Sequence, residues 1–180
     1  MIYISLKFLQ EWATWLTLVN FFLLGTASGF TLAAVLADWL APQITNNIAI
    51  TAVVLTVLGL ITRSGSMVRN ARLRPKSSIQ SATGIRGRVV QRSQGFTAGS
   101  FNTREFFHGA MPYVLRSVKW GFIILGFVVP AVLMAAGVMA DQHWMFVAAF
   151  LAQYAGLLAE RWFFFAEANH PQNLYYQAIS

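Results

Sequence analysis

Residues 15–36 read WLTLVNFFLLGTASGFTLAAVL, an apolar run without a charged side chain. A helix needs about 20 such residues to cross the hydrocarbon core of a bilayer, so the run predicts a membrane-spanning helix. Gly25 and Gly29 are four positions apart and therefore share one face of that helix. Because small residues let helices approach closely, we expect these glycines at a helix contact, within the chain or, alternatively, between two copies.

Three further apolar stretches follow, and short polar turns separate the first pair and the last pair of the four. They cover residues 48–62, 113–140 and 144–166. Arg63 is expected to close the second span and Pro130 to kink the third. Four spans joined in this way predict one all-α membrane domain over residues 1–180, a polytopic helical bundle of two hairpins.

The composition is that of an integral membrane protein. Of the 180 residues, 57% are hydrophobic and 11% are charged, whereas a soluble domain has about 25% charged residues. The chain has no cysteine, which excludes disulfides, Cys-ligated iron–sulfur clusters and thiolate zinc sites on it. Neither metal-ligand spacing nor a Ser/His/Asp arrangement is visible, so we expect no metal centre and no catalytic residue.

The basic residues gather on one side of the predicted bundle. Eleven of the 13 Lys and Arg residues lie within residues 63–119, around the polar connection 69–112. With four spans, Lys7 and Arg161 emerge on that same side, and the opposite turns contain neither Lys nor Arg. Positively charged loops remain cytoplasmic. We therefore expect a bacterial inner-membrane protein with a cytoplasmic connection and termini, and no nucleic-acid partner.

The middle of the connection, residues 93–109, reads SQGFTAGSFNTREFFHG. Arginine, glutamate and histidine can hydrogen-bond a quinone and carry its protons. The candidates for a quinone or proton site in this segment are Arg104, Glu105 and His108. The candidates for docking a partner subunit are Phe101, Asn102, Arg104, Phe106 and Phe107. The alternative for the segment is an amphipathic entry to the third span without a further role.

A second polar group lies on the fourth span, where Gln153, Glu160 and Glu167 recur every seven residues on one helix face. Ionisable groups inside a membrane are costly and usually paired. We expect either interhelical ion pairs, with Arg161 bound to Glu105, or a quinone or proton site that includes Glu160, Arg161 and Glu167. A small transporter or channel using this stripe is the alternative function, but the nearly apolar midplane favours an anchor.

Two polar-aromatic strings carry a family resemblance. They are QGF at 94–96 with SFNTREFFHG at 100–109, and ERWFFFAEANH at 160–170 with NLYY at 173–176. Together with MIY at 1–3, SLK at 5–7 and Trp12, they resemble the membrane anchor subunit of dimethyl sulfoxide reductase-type complexes. The branch associated with sulfite dehydrogenase is the most similar. The resemblance covers the whole chain and corresponds to the C-terminal half of such an anchor.

The resemblance implies a non-catalytic anchor that exchanges electrons with the quinone pool. A ferredoxin-like iron–sulfur subunit would dock on it and pass electrons to or from a molybdopterin catalytic subunit. The iron–sulfur clusters and molybdopterin then belong to partners, and this chain binds no cofactor of its own; none of its three histidines lies in the middle of a span, where haem ligands would be expected. The resemblance also makes residues 1–9 the tail of an earlier helix, whereas composition leaves an interfacial segment open.

Overall fold

The computed structural model describes residues 2–74, 76, 78–90, 92 and 112–168. Over these residues the chain is helical, without strands. The helices are α1 Ile2–Ser5, α2 Trp15–Leu40, α3 Pro42–Asn70, α4 Ile79–Thr83, α5 Pro112–Ile123, α6 Val129–Ala140 and α7 His143–Ala166. A π-helical turn, Ile124–Val128, joins α5 to α6.

Three helical stretches in the described residues are long and apolar enough to cross a bilayer. They are Trp15–Leu40, Pro42–Asn70 and Tyr113–Ala140. Helix α7 has 24 residues, also enough for a span, but Gln153, Glu160 and Arg161 make it more polar. The predicted all-α membrane bundle is thus confirmed, and the role of α7 as a fourth spanning helix stays a prediction.

Helix α3 is longer than the predicted span 48–62, and Arg63 lies inside it. Pro42 starts the helix because the first turn needs no proline N–H and the fixed φ of proline suits it. Arg63 does not end the helix, because its side chain is buried in the bundle and does not reach the water interface. The expectation that Arg63 closes the second span is therefore wrong.

The long helices form a bundle of neighbouring pairs. Helix α2 packs against α3 and α7, α3 also packs against α6, and α7 packs against α5, α6 and the π-helical turn. Helices α3 and α7 run parallel and reach each other through long polar side chains. The bundle therefore has side chains of α3 and α7 meeting in its interior.

The π-helical turn accommodates Pro130. In an α-helix the proline ring clashes with the carbonyl four residues earlier. Here the N–H of Val129 donates to the carbonyl of Ile124, five residues back, so the helix widens just before the proline and continues. The same turn brings Gly126 against Gly156 of α7, where a Cβ on Gly156 would clash with the Gly126 backbone. This pair is a close backbone contact between helices.

Gly25 and Gly29 do not make such a contact. Both are exposed, and a Cβ added at either would meet no atom within 4 Å. The buried face of α2 instead includes Leu24, Ala27 and Thr31, at the spacing of an inward stripe. The expected contact within the chain is therefore wrong for the described residues, and a contact with a second copy stays a prediction.

The bundle core has an apolar half and a polar half. Near the turns that end α2 and α6, the core is an apolar cluster of Ala34, Ala49, Ala52, Met134, Phe146 and Ala149. Toward the other end, the buried residues include Thr17, Asn20, Thr56, Arg63, Ser66, Gln153 and Glu160. A second apolar cluster lies beside these polar groups and contains Leu24, Met67, Phe122, Phe127 and Phe163.

Residues 2–14 cap the polar end of the bundle. Trp12 Nε1 donates to the carbonyl of Phe164 (3.1 Å), and Arg69 Nη2 donates to the carbonyl of Gln10 (3.1 Å). Five rings pack here with contacting centroids 5.2–5.7 Å apart. They are those of Tyr3, Trp12, Phe21, Phe164 and Phe165. The segment thereby joins the start of α2 to the ends of α3 and α7.

Candidate functional site

Polar residues of α3 and α7 pair at a constant separation of 97 positions in the sequence. The pairs are Thr56–Gln153, Arg63–Glu160 and Asn70–Glu167. In the first pair the glutamine Nε2 donates to the threonine Oγ1 (3.0 Å); in the second, the arginine Nε lies 2.7 Å from the glutamate Oε1. Seven residues make nearly two helical turns, so the pairs stack along one seam between parallel helices. We call this seam the α3–α7 ladder.

Glu160 is fully buried between two arginines. Its side chain is 0% exposed and that of Arg63 is 2% exposed, while Arg161 contacts the other oxygen of Glu160 through Nε and Nη2. Arg63 Nη2 also lies 3.6 Å from Glu167 Oε2. Two positive and two negative side chains thus form a set without net charge. This balance is necessary because a buried charge that loses its partner is strongly destabilising.

Aromatic rings enclose both guanidinium groups. The Cζ of Arg63 lies 5.8 Å from the ring centroid of Phe122 and 5.9 Å from that of Phe163. The Cζ of Arg161 lies 4.1 Å from the ring centroid of Phe21. Such contacts stabilise a cation on the ring face. With a rise of about 1.5 Å per residue, Glu160 lies about 9 Å inside the end of α7.

Several buried polar atoms around the cluster lack a well-directed hydrogen bond among the described residues. They are Asn20 Oδ1, Arg63 Nε and Nη2, Gln153 Oε1, Glu160 Oε1 and Arg161 Nη1. Arg63 Nε and Glu160 Oε1 are close enough for an ion pair, but the N–H does not point at the oxygen, so the contact is Coulombic without a directed hydrogen bond. Asn20 lies level with Arg63, because Leu24, one turn away on α2, lies beside Gly59 on the antiparallel α3.

Glu167 is the more accessible acid of the cluster. Its side chain is 19% exposed and follows the last residue of α7. Burial raises the pKa of Glu167 above 4.5; Arg63 and a hydrogen bond from Asn70 oppose this rise, Glu11 adds to it, and Lys119 opposes it. Glu167 therefore binds a proton more readily than an ordinary glutamate does.

Another ion pair closes the opposite end of the bundle. His143 Nδ1 lies 2.7 Å and 2.8 Å from the two carboxylate oxygens of Asp38. Asp38 is in the last turn of α2 and His143 is the first residue of α7, where the helix dipoles disfavour these charges. Their pairing offsets that effect, and the hydrogen bond with Asp38 raises the pKa of His143 above 6.5.

The structure brings together the predicted residues Glu160, Arg161 and Glu167. Gln153 lies on the same seam, as its spacing predicted. Arg161 contacts its neighbour Glu160, while its expected partner Glu105 lies outside the described residues. The other connection candidates also lie outside them, so their roles stay predictions: Arg104, His108, Phe101, Asn102, Phe106 and Phe107.

Sequence reasoning missed the α3 side of the ladder. Thr56, Arg63 and Asn70 repeat every seven residues, as the α7 stripe does, and this shared period is the signal that identifies them. The pair Asp38–His143 has no such signal, because single residues 105 positions apart show no pattern. Among the described residues, no group of three or more His, Cys, Asp or Glu is placed to hold a metal ion.

The three apolar helices, packed with α7 around a buried neutral charge cluster, place this chain in the class of helical-bundle integral membrane proteins. Over 181 aligned residues it is 47% identical to a sulfite dehydrogenase subunit of Allochromatium vinosum, and the chain belongs to the family of that protein. The match covers all of this chain, and the chain spans 56% of that relative's length. No protein-family model and no solved structure matches the chain.

Proposed function

We propose that this chain is a membrane anchor subunit, or part of one, in a molybdopterin and iron–sulfur oxidoreductase complex. The observation that carries the proposal is 47% identity, over the whole chain, to a protein named as a subunit of sulfite dehydrogenase. The proposed role is to hold the iron–sulfur subunit at the membrane and to exchange electrons with the quinone pool.

The chemistry of the described residues supports this role. A chain without cysteine cannot hold a Cys-ligated cluster, so electrons would move between a partner's cluster and a quinone. Quinone reduction takes up protons together with electrons, and protonatable side chains near the site assist such transfers. Glu167 supplies one at the polar end of the bundle. In the connection, Arg104, Glu105 and His108 are the further candidates.

A cation path along Gln153, Glu160 and Glu167 has less support. Each of these side chains already has a partner on α3. In the described part of the bundle, the apolar cluster around Met134 and Phe146 occupies the core of the other half. A transporter would instead need polar groups and broken helices near the midplane.

The test compares two electron acceptors in membranes that contain the complete complex, with sulfite as donor. A soluble dye takes electrons directly from the peripheral subunits, whereas a quinone analogue needs the anchor. Deleting the chain should abolish reduction of the quinone analogue and release dye-reducing activity into the soluble fraction. Unchanged quinone-analogue reduction after the deletion would rule out the proposed role.

A second measurement addresses the partners and the substrate. The complex purified through a tag on this chain should contain iron and molybdenum. Quinol oxidation by the same membranes with dimethyl sulfoxide as acceptor separates a reductase from a sulfite-oxidising enzyme. A purified chain without either metal, from membranes active with sulfite, would contradict the proposed partners.

A further inference from the structure

Neither the ion pairs nor the proposed docking of a partner accounts for the unpartnered polar atoms beside the α3–α7 ladder. We propose that the polar half of the bundle is a hydrated proton-binding site, entered between Asn70 and Glu167 and closed at Thr56 and Gln153. Its ligands are water and the proton. The inference goes beyond the anchor role and does not depend on quinone exchange.

The first support is the chemistry of the unpartnered atoms. A buried water usually makes about three hydrogen bonds to polar groups that otherwise lack partners. Donors remain on Arg63 and Arg161, and acceptors remain on Asn20, Gln153 and Glu160. Four of these residues are at most 3% exposed, Arg161 being the exception. A set containing both donors and acceptors fits water, which needs both.

The second support is the arrangement of these groups along the bundle. Successive pairs of the ladder are seven residues apart, which at 1.5 Å per residue is about 10 Å. Side chains at that separation cannot exchange a proton directly, and intervening water would connect them. The polar groups extend from the partly exposed Glu167 to the buried Gln153, so the site has an open end and a closed end.

The third support is the surroundings of Glu167, the group proposed to take the proton. Arg63 and Asn70 face it from α3, Glu11 from the N-terminal cap and Lys119 from α5. Protonation of Glu167 would leave the cluster with one net positive charge, which buried water stabilises better than a dry apolar core does. The raised pKa of Glu167 favours the same event.

Hydroxyl-radical footprinting of the unmodified protein in a bilayer tests the hydration. Met67 lies one turn from Arg63, whereas Met134 lies in the apolar cluster; both are buried, at 7% and 1% exposure. Radicals form from water, so Met67 should be oxidised while Met134 is protected. Equal protection of the two methionines would overturn the proposal.

A pair of matched substitutions tests the entry. Asn70→Leu places an apolar side chain at the proposed mouth, and Asn47→Leu makes the same change at an exposed position on the other end of α3. Asn70→Leu should abolish the labelling of Met67, and Asn47→Leu should leave it unchanged. Labelling that persists in Asn70→Leu, with Met134 still protected, would show that water does not enter there.

Infrared titration tests the proton. The carbonyl band of a protonated carboxylic acid should persist above pH 4.5 in the unmodified protein and be lost in Glu167→Gln. Asp141→Asn, at an exposed turn on the opposite end, should retain the band. A band that Glu167→Gln does not remove would overturn the assignment of Glu167. Because these measurements need no partner subunit, their failure leaves the anchor proposal intact, and the reverse also holds.

Discussion

Glu160 is the residue on which two buried arginines depend. Replacing it with glutamine leaves Arg63 and Arg161 without their carboxylate, and removal of one partner from a buried pair costs about 3–5 kcal/mol. We therefore expect Glu160→Gln to lower the free energy of unfolding by about that amount. Arg63→Met should cost less, because Glu160 keeps its contact with Arg161. Denaturant unfolding in mixed micelles measures both.

Glu167→Gln is the matched control for this prediction. It is the same chemical change in the same seam, but Glu167 is 19% exposed and lies 3.6 Å from the guanidinium of Arg63. Its effect should therefore be small. If Glu160→Gln were no more destabilising than Glu167→Gln, the buried pair would not be important for stability.

His143 makes the stability of the bundle depend on pH. Its pKa in the folded state is raised above 6.5 by Asp38, so the folded protein binds the proton more tightly than the unfolded chain does. The stabilisation is fully present below about pH 6.5 and is lost as the pH rises through the raised folded pKa. The midpoint of thermal unfolding in detergent should fall over that interval.

His143→Gln should flatten this part of the pH profile. Comparison with the unmodified chain also separates the contribution of Glu167, whose pKa is raised as well. An unchanged slope in His143→Gln would mean that the Asp38 contact does not form in solution.

At the scale of the helix, hydropathy predicted where the long helices lie but not where they end. The polar residues after Thr62 resemble a loop by composition, yet α3 continues to Asn70. Their backbone groups are satisfied within the helix, and Arg63 finds Glu160 inside the bundle. Such a partner comes from another part of the fold, so composition around residue 63 could not reveal it.

The glycine contacts show the same limit. The spacing of Gly25 and Gly29 indicates that a close contact is possible, but it does not say which face of α2 turns inward. Neither Gly126 nor Gly156 has another glycine four positions away, and the π-helical turn that brings them together depends on Pro130. Contacts set by a distortion of the backbone cannot be read from residue spacing.

Gly156→Ala tests this contact. The new methyl group would meet the Gly126 backbone, which cannot move as a flexible side chain does. We expect a loss of about 1–3 kcal/mol in the free energy of unfolding, as for other overpacked interiors. Gly29→Ala meets open space and should instead gain a few tenths to about 1 kcal/mol from helix propensity. Equal effects would contradict the Gly126–Gly156 contact.

At the scale of the whole molecule, the polar core and the basic connection lie at the same end. Helix α3 leads into the connection and α5 follows it, and the α3–α7 ladder reaches its surface there at Asn70 and Glu167. The charge pattern predicted which end this is, because it counts Lys and Arg along the chain. It could not predict the ladder, which depends on a pairing across 97 positions.

The orientation in the membrane remains a prediction that cysteine labelling can check. The chain has no cysteine, so a single introduced thiol is the only one present. Asn47→Cys and Gln80→Cys are exposed positions on opposite sides of the predicted bundle. An impermeant thiol reagent added to intact cells should label Asn47→Cys and not Gln80→Cys, because positively charged loops stay inside. The reverse pattern would invert the orientation.

The 97-residue separation between Arg63 and Glu160 has a consequence for biogenesis. At a synthesis rate of about 5–20 residues per second, the ribosome completes Arg63 roughly 5–20 seconds before Glu160. During that interval a nascent α3 carries an arginine without its carboxylate, at a cost of up to about 3 kcal/mol on insertion scales. The helix must then wait in a shallow position, with the guanidinium held toward the surface. Arrival of α7 lets it settle, so chains truncated before residue 160 would keep an unpaired arginine in the bilayer.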